Sequence, residues 1–236
     1  MVFNLETSQN IYERDLNKRE SVFVKGFGTW FKLKKSYRSK SSQLIILFKE
    51  FQQVYLLKKY PDLDSFDFEK MQTDAFEIVK YQTYLAKDDL KEIYTKIVDY
   101  ITVNNFIPKD ITILCSRIEL LRDLNSFFNK KEKTMTTFEN LIELYDITGC
   151  DDKTPHKEIK KREVSCQQEI KKIRKRKKNY FNLNSELIKI STIHSFKGLE
   201  SPTVFCILLE NDSPEIIYTA MTRAKTNLII FDEINS

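Results

Sequence analysis

Residues 187–209 read LIKISTIHSFKGLESPTVFCILL. Two apolar runs, 187–192 and 203–209, flank a polar turn that carries a histidine, a glycine and a glutamate. Each run is short, rich in Ile, Val and Phe, and lacks the strict alternation of a half-exposed strand. That pattern belongs to a strand buried on both faces. Just downstream, 214–225 begins with Pro at the first turn of a predicted helix, and 227–232 (NLIIFD) closes as a further strand. Upstream, 110–116 (DITILCS) is another continuous apolar strand. It runs directly into a helix over 119–129 whose Leu120, Leu121, Leu124, Phe127 and Phe128 fall on one face.

Helical spacing recurs over 41–59, with Leu44, Leu47, Phe48, Phe51, Val54 and Tyr55. It recurs again over 88–103, with Leu90, Ile93, Tyr94, Ile97, Val98 and Ile101. A short strand is predicted at 32–37. Continuous strands separated by helices predict an α/β fold, a mostly parallel sheet with helices on both faces. The stretch 130–186 differs in character: it is charged, basic and poor in long apolar runs. It is expected to be a basic, mostly helical insertion outside the central sheet.

The chain has 236 residues, of which 41% are hydrophobic and 12% aromatic, enough for one large domain or one domain with an insertion. No run reaches the ~18 apolar residues of a membrane span, and the amino terminus lacks the basic-then-apolar pattern of a secretory signal. Cys115, Cys150, Cys166 and Cys206 are far apart and only two histidines occur. This argues against zinc and against a disulfide framework, and points to a reducing cytoplasm with no membrane association. Cys115 and Cys206, inside apolar runs, are expected to be small buried hydrophobes. Net charge is +5, concentrated around 157–178, where Lys171, Lys172, Arg174, Arg176 and Lys178 are densest. Such a cluster either follows a phosphate backbone or forms a solvated helix face.

Four segments in order carry a resemblance. STIHSFKGLE at 191–200 and IYTAMTRAKTNLII at 217–230 resemble motifs V and VI of UvrD/Rep-type superfamily-one DNA helicases. QNIYER at 9–14 resembles the end of motif III, and KSYRS at 35–39 resembles motif IV. The strand–helix unit near 110–129 resembles one in that family's second motor domain, and TMTTFE at 134–139 a segment of small UvrD-like proteins. The resemblance implies a RecA-like second motor domain. Residues 1–15 would be a remnant of the first, 16–129 and 187–236 the two parts of the second, and 130–186 its insertion.

The resemblance also implies roles. Arg38 and Arg223 would reach the γ-phosphate of ATP from an exposed position at the domain edge, suited by a charge that persists and a forked set of donors. Gln9 would touch the γ-phosphate or its water. Tyr37 would stack on adenine, or else be a core aromatic. Glu200 would accept from the ribose, and Gly198 would let the backbone approach closely. Thr192 and His194 would contact single-stranded DNA, with a structural role for His194 equally open, and Tyr12 would lie where the family presents aromatics to bases.

Two departures stand out. Arg14 occupies the usual motif III tryptophan position, and NLETSQN replaces the usual Gly-Asp lead-in. No GxxxxGK[ST] phosphate loop and no Walker B acids occur in the chain. ATP with Mg²⁺ is therefore expected only in the context of a phosphate-loop motor half, in cis or in trans. The chain is then a fragment, a split subunit or a truncated reading frame. Other readings are a catalytically inactive nucleic-acid-binding module, or an interaction subunit that completes a partner ATPase. The expected polymer is single-stranded or partly duplex DNA.

Overall fold

The computed structural model describes residues 42–60, 77–85, 90–129 and 133–234. In chain order these form α1 (Ser42–Phe51), β1 (Val79–Leu85), α2 (Leu90–Val103), β2 (Ile111–Cys115), α3 (Ile118–Phe128) and β3 (Thr134–Thr136). Then come α4 (Leu141–Thr148), α5 (His156–Ser165), α6 (Gln167–Tyr180), β4 (Ile188–Thr192), β5 (Ser201–Leu208), α7 (Pro214–Met221) and β6 (Ala224–Ile234). A π-helical turn, Gln52–Leu56, continues α1. The strands make one sheet in the order β1-β6-β5-β2-β4-β3, and every pairing in it is parallel. The chain is thus α/β, as the continuous apolar strands predict.

The register explains why those strands are apolar throughout. Ile113 lies beside Phe205, which lies beside Ile229, and all three enter the core under α2 and α3. One residue on, Leu114, Cys206 and Ile230 are again in register and point to the opposite face, toward α1 and α7. Because each strand feeds two cores, alternation disappears. Cys115 and Cys206 are fully buried, and burial pushes the Cys115 thiol up to about 12, so both act as small hydrophobes.

Three features depart from the sequence expectation. The helix expected over 214–225 stops at Met221 and β6 begins at Ala224. Thr222 turns its hydroxyl back to the Tyr218 carbonyl, and Arg223 N–H closes onto Ala220 O, ending the helix in a tight turn. β1 was not expected: its sequence, VKYQTYL, is half polar, and strand pairing with β6 makes it an edge. β3 joins the sheet beside β4, so the sheet reaches into the stretch set apart as an insertion. The strand expected at 32–37 and the segment 1–15 lie outside the described residues.

Beyond β3 the chain leaves the sheet as helices. Asn140 and Glu143 form a reciprocal capping box at the start of α4, and Gly149, with a φ of 62°, ends it in the left-handed conformation. Of α5 and α6 together only Ile170 is buried, so they are held by polar contacts rather than by a core of their own. Arg162 of α5 donates to the carbonyls of Gly149 at 2.9 Å and Thr148 at 3.3 Å, at the C-terminal end of α4 where a cation is favoured.

Candidate functional site

The polar turn 193–200 crosses the sheet face from the end of β4 to the start of β5, which lies on the far side of β2. Buried Ile193 and Phe196 pin it to the α1/α7 side. In the register, Thr192 stands level with Cys115 and hence with Ile207, whereas the turn returns to the sheet at Ser201. At about 3.3 Å per residue the two ends of the turn are separated by roughly 20 Å along the strands. The expected motif V residues therefore divide between opposite edges of the sheet.

At the strand N-terminal edge, Leu199 and Ser201, which flank Glu200, bond to Arg223. Ser201 N–H donates to Arg223 O at 3.0 Å, and Arg223 Nη1 donates to Leu199 O at 3.3 Å. Gly198 has a φ of +89°, and a Cβ built on it meets nothing within 4 Å. Glycine is therefore required here by conformation, and the space above it is open. Glu200 is partly exposed, with Lys225 at 3.4 Å from its carboxylate.

Arg223 requires a correction. The expected exposed arginine is 1% exposed. Its Nε donates to Thr219 O at 2.9 Å and its Nη2 to Thr222 Oγ1 at 3.1 Å, so the guanidinium folds back over the end of α7. The cause is local: ending α7 at Met221 leaves carbonyls and a hydroxyl that a long forked donor satisfies. This edge thus presents a partly exposed carboxylate near an open glycine. The Arg223 guanidinium itself is turned away from any phosphate in this conformation.

At the opposite edge, Thr192 is buried at 6% exposure, and its hydroxyl donates to Ser195 Oγ at 2.8 Å and accepts from Ser195 N–H at 3.2 Å. Threonine here caps the turn. His194 is half-buried beside it. The neighbouring ends of β2, β5 and β6 open into a cleft of about 610 Å³ lined by Arg117, Glu119, Asp212 and Glu233, and by Arg122, Glu163 and Arg174. Arginines and carboxylates nearly balance there, which is not the composition of an anion site.

The basic run spreads over α5 and α6. Lys171, Lys172, Arg176 and Lys178 are exposed, whereas Arg174 is half-buried. Arg174 Nε and Nη2 each donate to Glu139, both at 2.7 Å. The Glu139 carboxylate is fully buried and also receives Arg122, whose other nitrogen binds Glu163. Burial pushes Glu139 upward, but the Arg174 bonds and the Arg122 charge outweigh it and hold the carboxylate below its usual range. Sequence reasoning missed Glu139, because its partners lie 17 and 35 residues away and leave no local pattern. Gln9, Tyr12, Tyr37 and Arg38 lie outside the described residues.

Residues 187–231 match the family profile described as UvrD-like helicase C-terminal domain. The matched segment holds the turn 193–200, α7 and Arg223, and is about a fifth of the chain. None of the curated proteins compared with the chain matches it. Among solved structures, the C-terminal domain of a possible DNA helicase from Lactobacillus plantarum WCFS1 is similar. It has 12% identity and a TM-score of 0.44, over 82% of this chain and 86% of that one. No helix among the described residues is long and apolar enough to cross a membrane.

Proposed function

We propose that the chain is the C-terminal motor half of an ATP-dependent DNA helicase or translocase, which completes the ATP site of a phosphate-loop half in cis or in trans. The observation that carries this reading is the family match over 187–231, the segment in which Arg223 is bonded to the 198–201 turn. With that partner half, Glu200 would accept from the ribose beside Gly198, and Tyr37 would stack on the base. Gln9, Arg38 and Arg223 would face the phosphates. Mg²⁺ and the phosphate cradle come from the other half. Thr192, His194 and Tyr12 would meet single-stranded DNA, and the basic run would follow a DNA phosphate backbone. Arg223 must release Leu199 O and Thr219 O to reach a phosphate, so nucleotide binding and domain closure would have to supply the free energy for that swing.

The test is reconstitution. The chain alone should show no ATP hydrolysis. Mixed with or joined to a UvrD-type phosphate-loop half it should restore DNA-stimulated hydrolysis. That hydrolysis should fall by ~10³-fold or more in Arg38→Ala and in Arg223→Ala, the range of a supplied arginine. Full hydrolysis with both arginines replaced would end the motor-half reading. The inward turn of Arg223 favours a second reading, an inactive DNA-binding module. In that case the chain would bind DNA equally well with or without the partner half, and mixing would restore no hydrolysis.

A further inference from the structure

On α6, Lys171, Arg174, Lys175 and Lys178 recur at spacings of three and four residues. They therefore stack along one face, where with Asn179 they line a shallow groove. Lys172 and Arg176 fall on another side of the helix. The three lysines are exposed to water, but Arg174 is anchored. Its Nε and Nη2 grip the two oxygens of Glu139 at 2.7 Å each, and Glu139 is itself buried and gripped by Arg122. Among the described residues Arg174 Nη1 has no hydrogen-bond partner. A two-point grip fixes the plane of a guanidinium, which a single contact does not. Arg174 is thus held in place on the groove it lines with three lysines, and α6 from Lys171 to Lys178 spans about 10 Å.

We propose that Glu139 is a positioning residue that builds a phosphate site on the insertion, in which Arg174 with Lys171, Lys175 and Lys178 binds successive phosphates of one strand of duplex DNA. The groove contains no aromatic side chain. Sites for single strands stack unpaired bases on aromatics, so a groove with cations alone reads a backbone whose bases are stacked away in a duplex. The site deepens the DNA-binding part of the proposed function and rests on it.

The alternative role for Glu139 is simple neutralisation of the basic helix, and the sign of one substitution separates the two. Removing a negative charge should tighten duplex binding if Glu139 only neutralises, and weaken it if Glu139 positions Arg174. The full chain is titrated with a short fluorescently labelled duplex of arbitrary sequence, by anisotropy, across a range of salt, with far-UV circular dichroism as the check on folding. Glu139→Gln should weaken binding about three- to tenfold and reduce the salt slope by about one, the loss of one phosphate contact. Arg174→Lys keeps the charge but cannot both hold Glu139 and donate outward, so it should lose as much. The triple replacement of Lys171, Lys175 and Lys178 by Gln should reduce the slope by nearly three. The charge-matched triple of Lys49, Lys58 and Lys91, exposed lysines outside the basic run, should change it far less.

If Glu139→Gln does not fold, Arg174→Lys and the two triples decide. Tighter binding by a folded Glu139→Gln, wild-type binding by Arg174→Lys, or equal slopes for the two triples overturns the site. Stronger binding of a single strand than of the duplex through the same four residues also overturns it. No duplex binding by the wild-type chain removes the DNA-binding reading itself, an outcome distinct from binding that ignores this face.

Discussion

The Arg223 guanidinium spans the turn from α7 to β6 and the end of the 193–200 crossing. It satisfies Thr219 O, Leu199 O and Thr222 Oγ1 while almost wholly buried. A group in that position holds structure whatever else it does. Arg223→Ala should lower unfolding free energy by roughly 2–4 kcal/mol, because buried acceptors lose charge-assisted partners. It should appear as a lower urea midpoint at unchanged m-value. Arg223→Lys should recover only part, since one ammonium cannot reach the three acceptors a planar fork reaches. An unchanged midpoint in Arg223→Ala would mean that the guanidinium does not make these contacts in solution. Loss of ATP hydrolysis in an Arg223 variant is therefore interpretable only beside its stability, and Arg38 is the cleaner probe of phosphate sensing. Gly198 allows a simpler statement. With open space above it, Gly198→Ala should cost about 1–2 kcal/mol from backbone strain alone, measured in the same denaturant series.

At the scale of elements, what could be read from sequence follows the density of local signal. α2, α3, β2 and β4 fall within two residues of expectation, because their apolar positions are frequent and fill a face or a whole strand. β1 and β3 were not legible: one is half polar and the other three residues long, and both exist because a neighbouring strand pairs with them. The candidate site divides the same way. The residues of 191–200 and Arg223 were singled out by motif, but neither the inward turn of Arg223 nor the Glu139 node has a sequence signature. Both arise from contacts between distant elements. The ion pair at the start of α7 is another such contact. Lys59 Nζ at 2.5 Å and Tyr60 Oη at 3.0 Å both reach Glu215 Oε1, joining the end of the first helical segment to α7. Burial pushes Glu215 upward, but the Lys59 bond and the backbone and hydroxyl donors of the α7 N-terminus prevail, drawing its carboxyl down to about 2. A carboxylate lowered on folding stabilises fully above its unfolded pKa of 4.5, and that contribution disappears as pH falls toward 2. Thermal midpoints measured from pH 6 to pH 2 should fall steeply for the wild type below about pH 5. Glu215→Gln should be less stable at pH 6 and show a shallower fall. Parallel curves would remove Glu215 from the account of acid stability.

At the scale of the whole molecule, the sheet and the helical excursion divide the work. The six strands, α1, α2, α3 and α7 own nearly all of the buried apolar residues, whereas α5 and α6 own Ile170. The excursion is fastened by charge: Arg174 and Arg122 on Glu139, Glu163 on Arg122, and Lys177 on Glu143 at 2.7 Å. The bonds that place the Arg223 guanidinium at the opposite edge go to Thr219, Leu199 and Thr222, none of them a member of that network. Replacing residues 151–181 by a flexible linker should therefore leave a folded, cooperative sheet. It should also be less stable by about 3–5 kcal/mol, because Glu139 stays buried with half of its partners gone. Glu139→Leu with Arg122→Leu in the shortened chain should restore part of that loss, since apolar groups of similar size need no partners. Duplex affinity should drop and its salt slope flatten, while ATP hydrolysis restored by a phosphate-loop half should persist, measured at saturating single-stranded DNA. A shortened chain that folds but no longer supports hydrolysis would show that the excursion belongs to the motor itself, and the separation of nucleotide edge from basic helices would have to be abandoned.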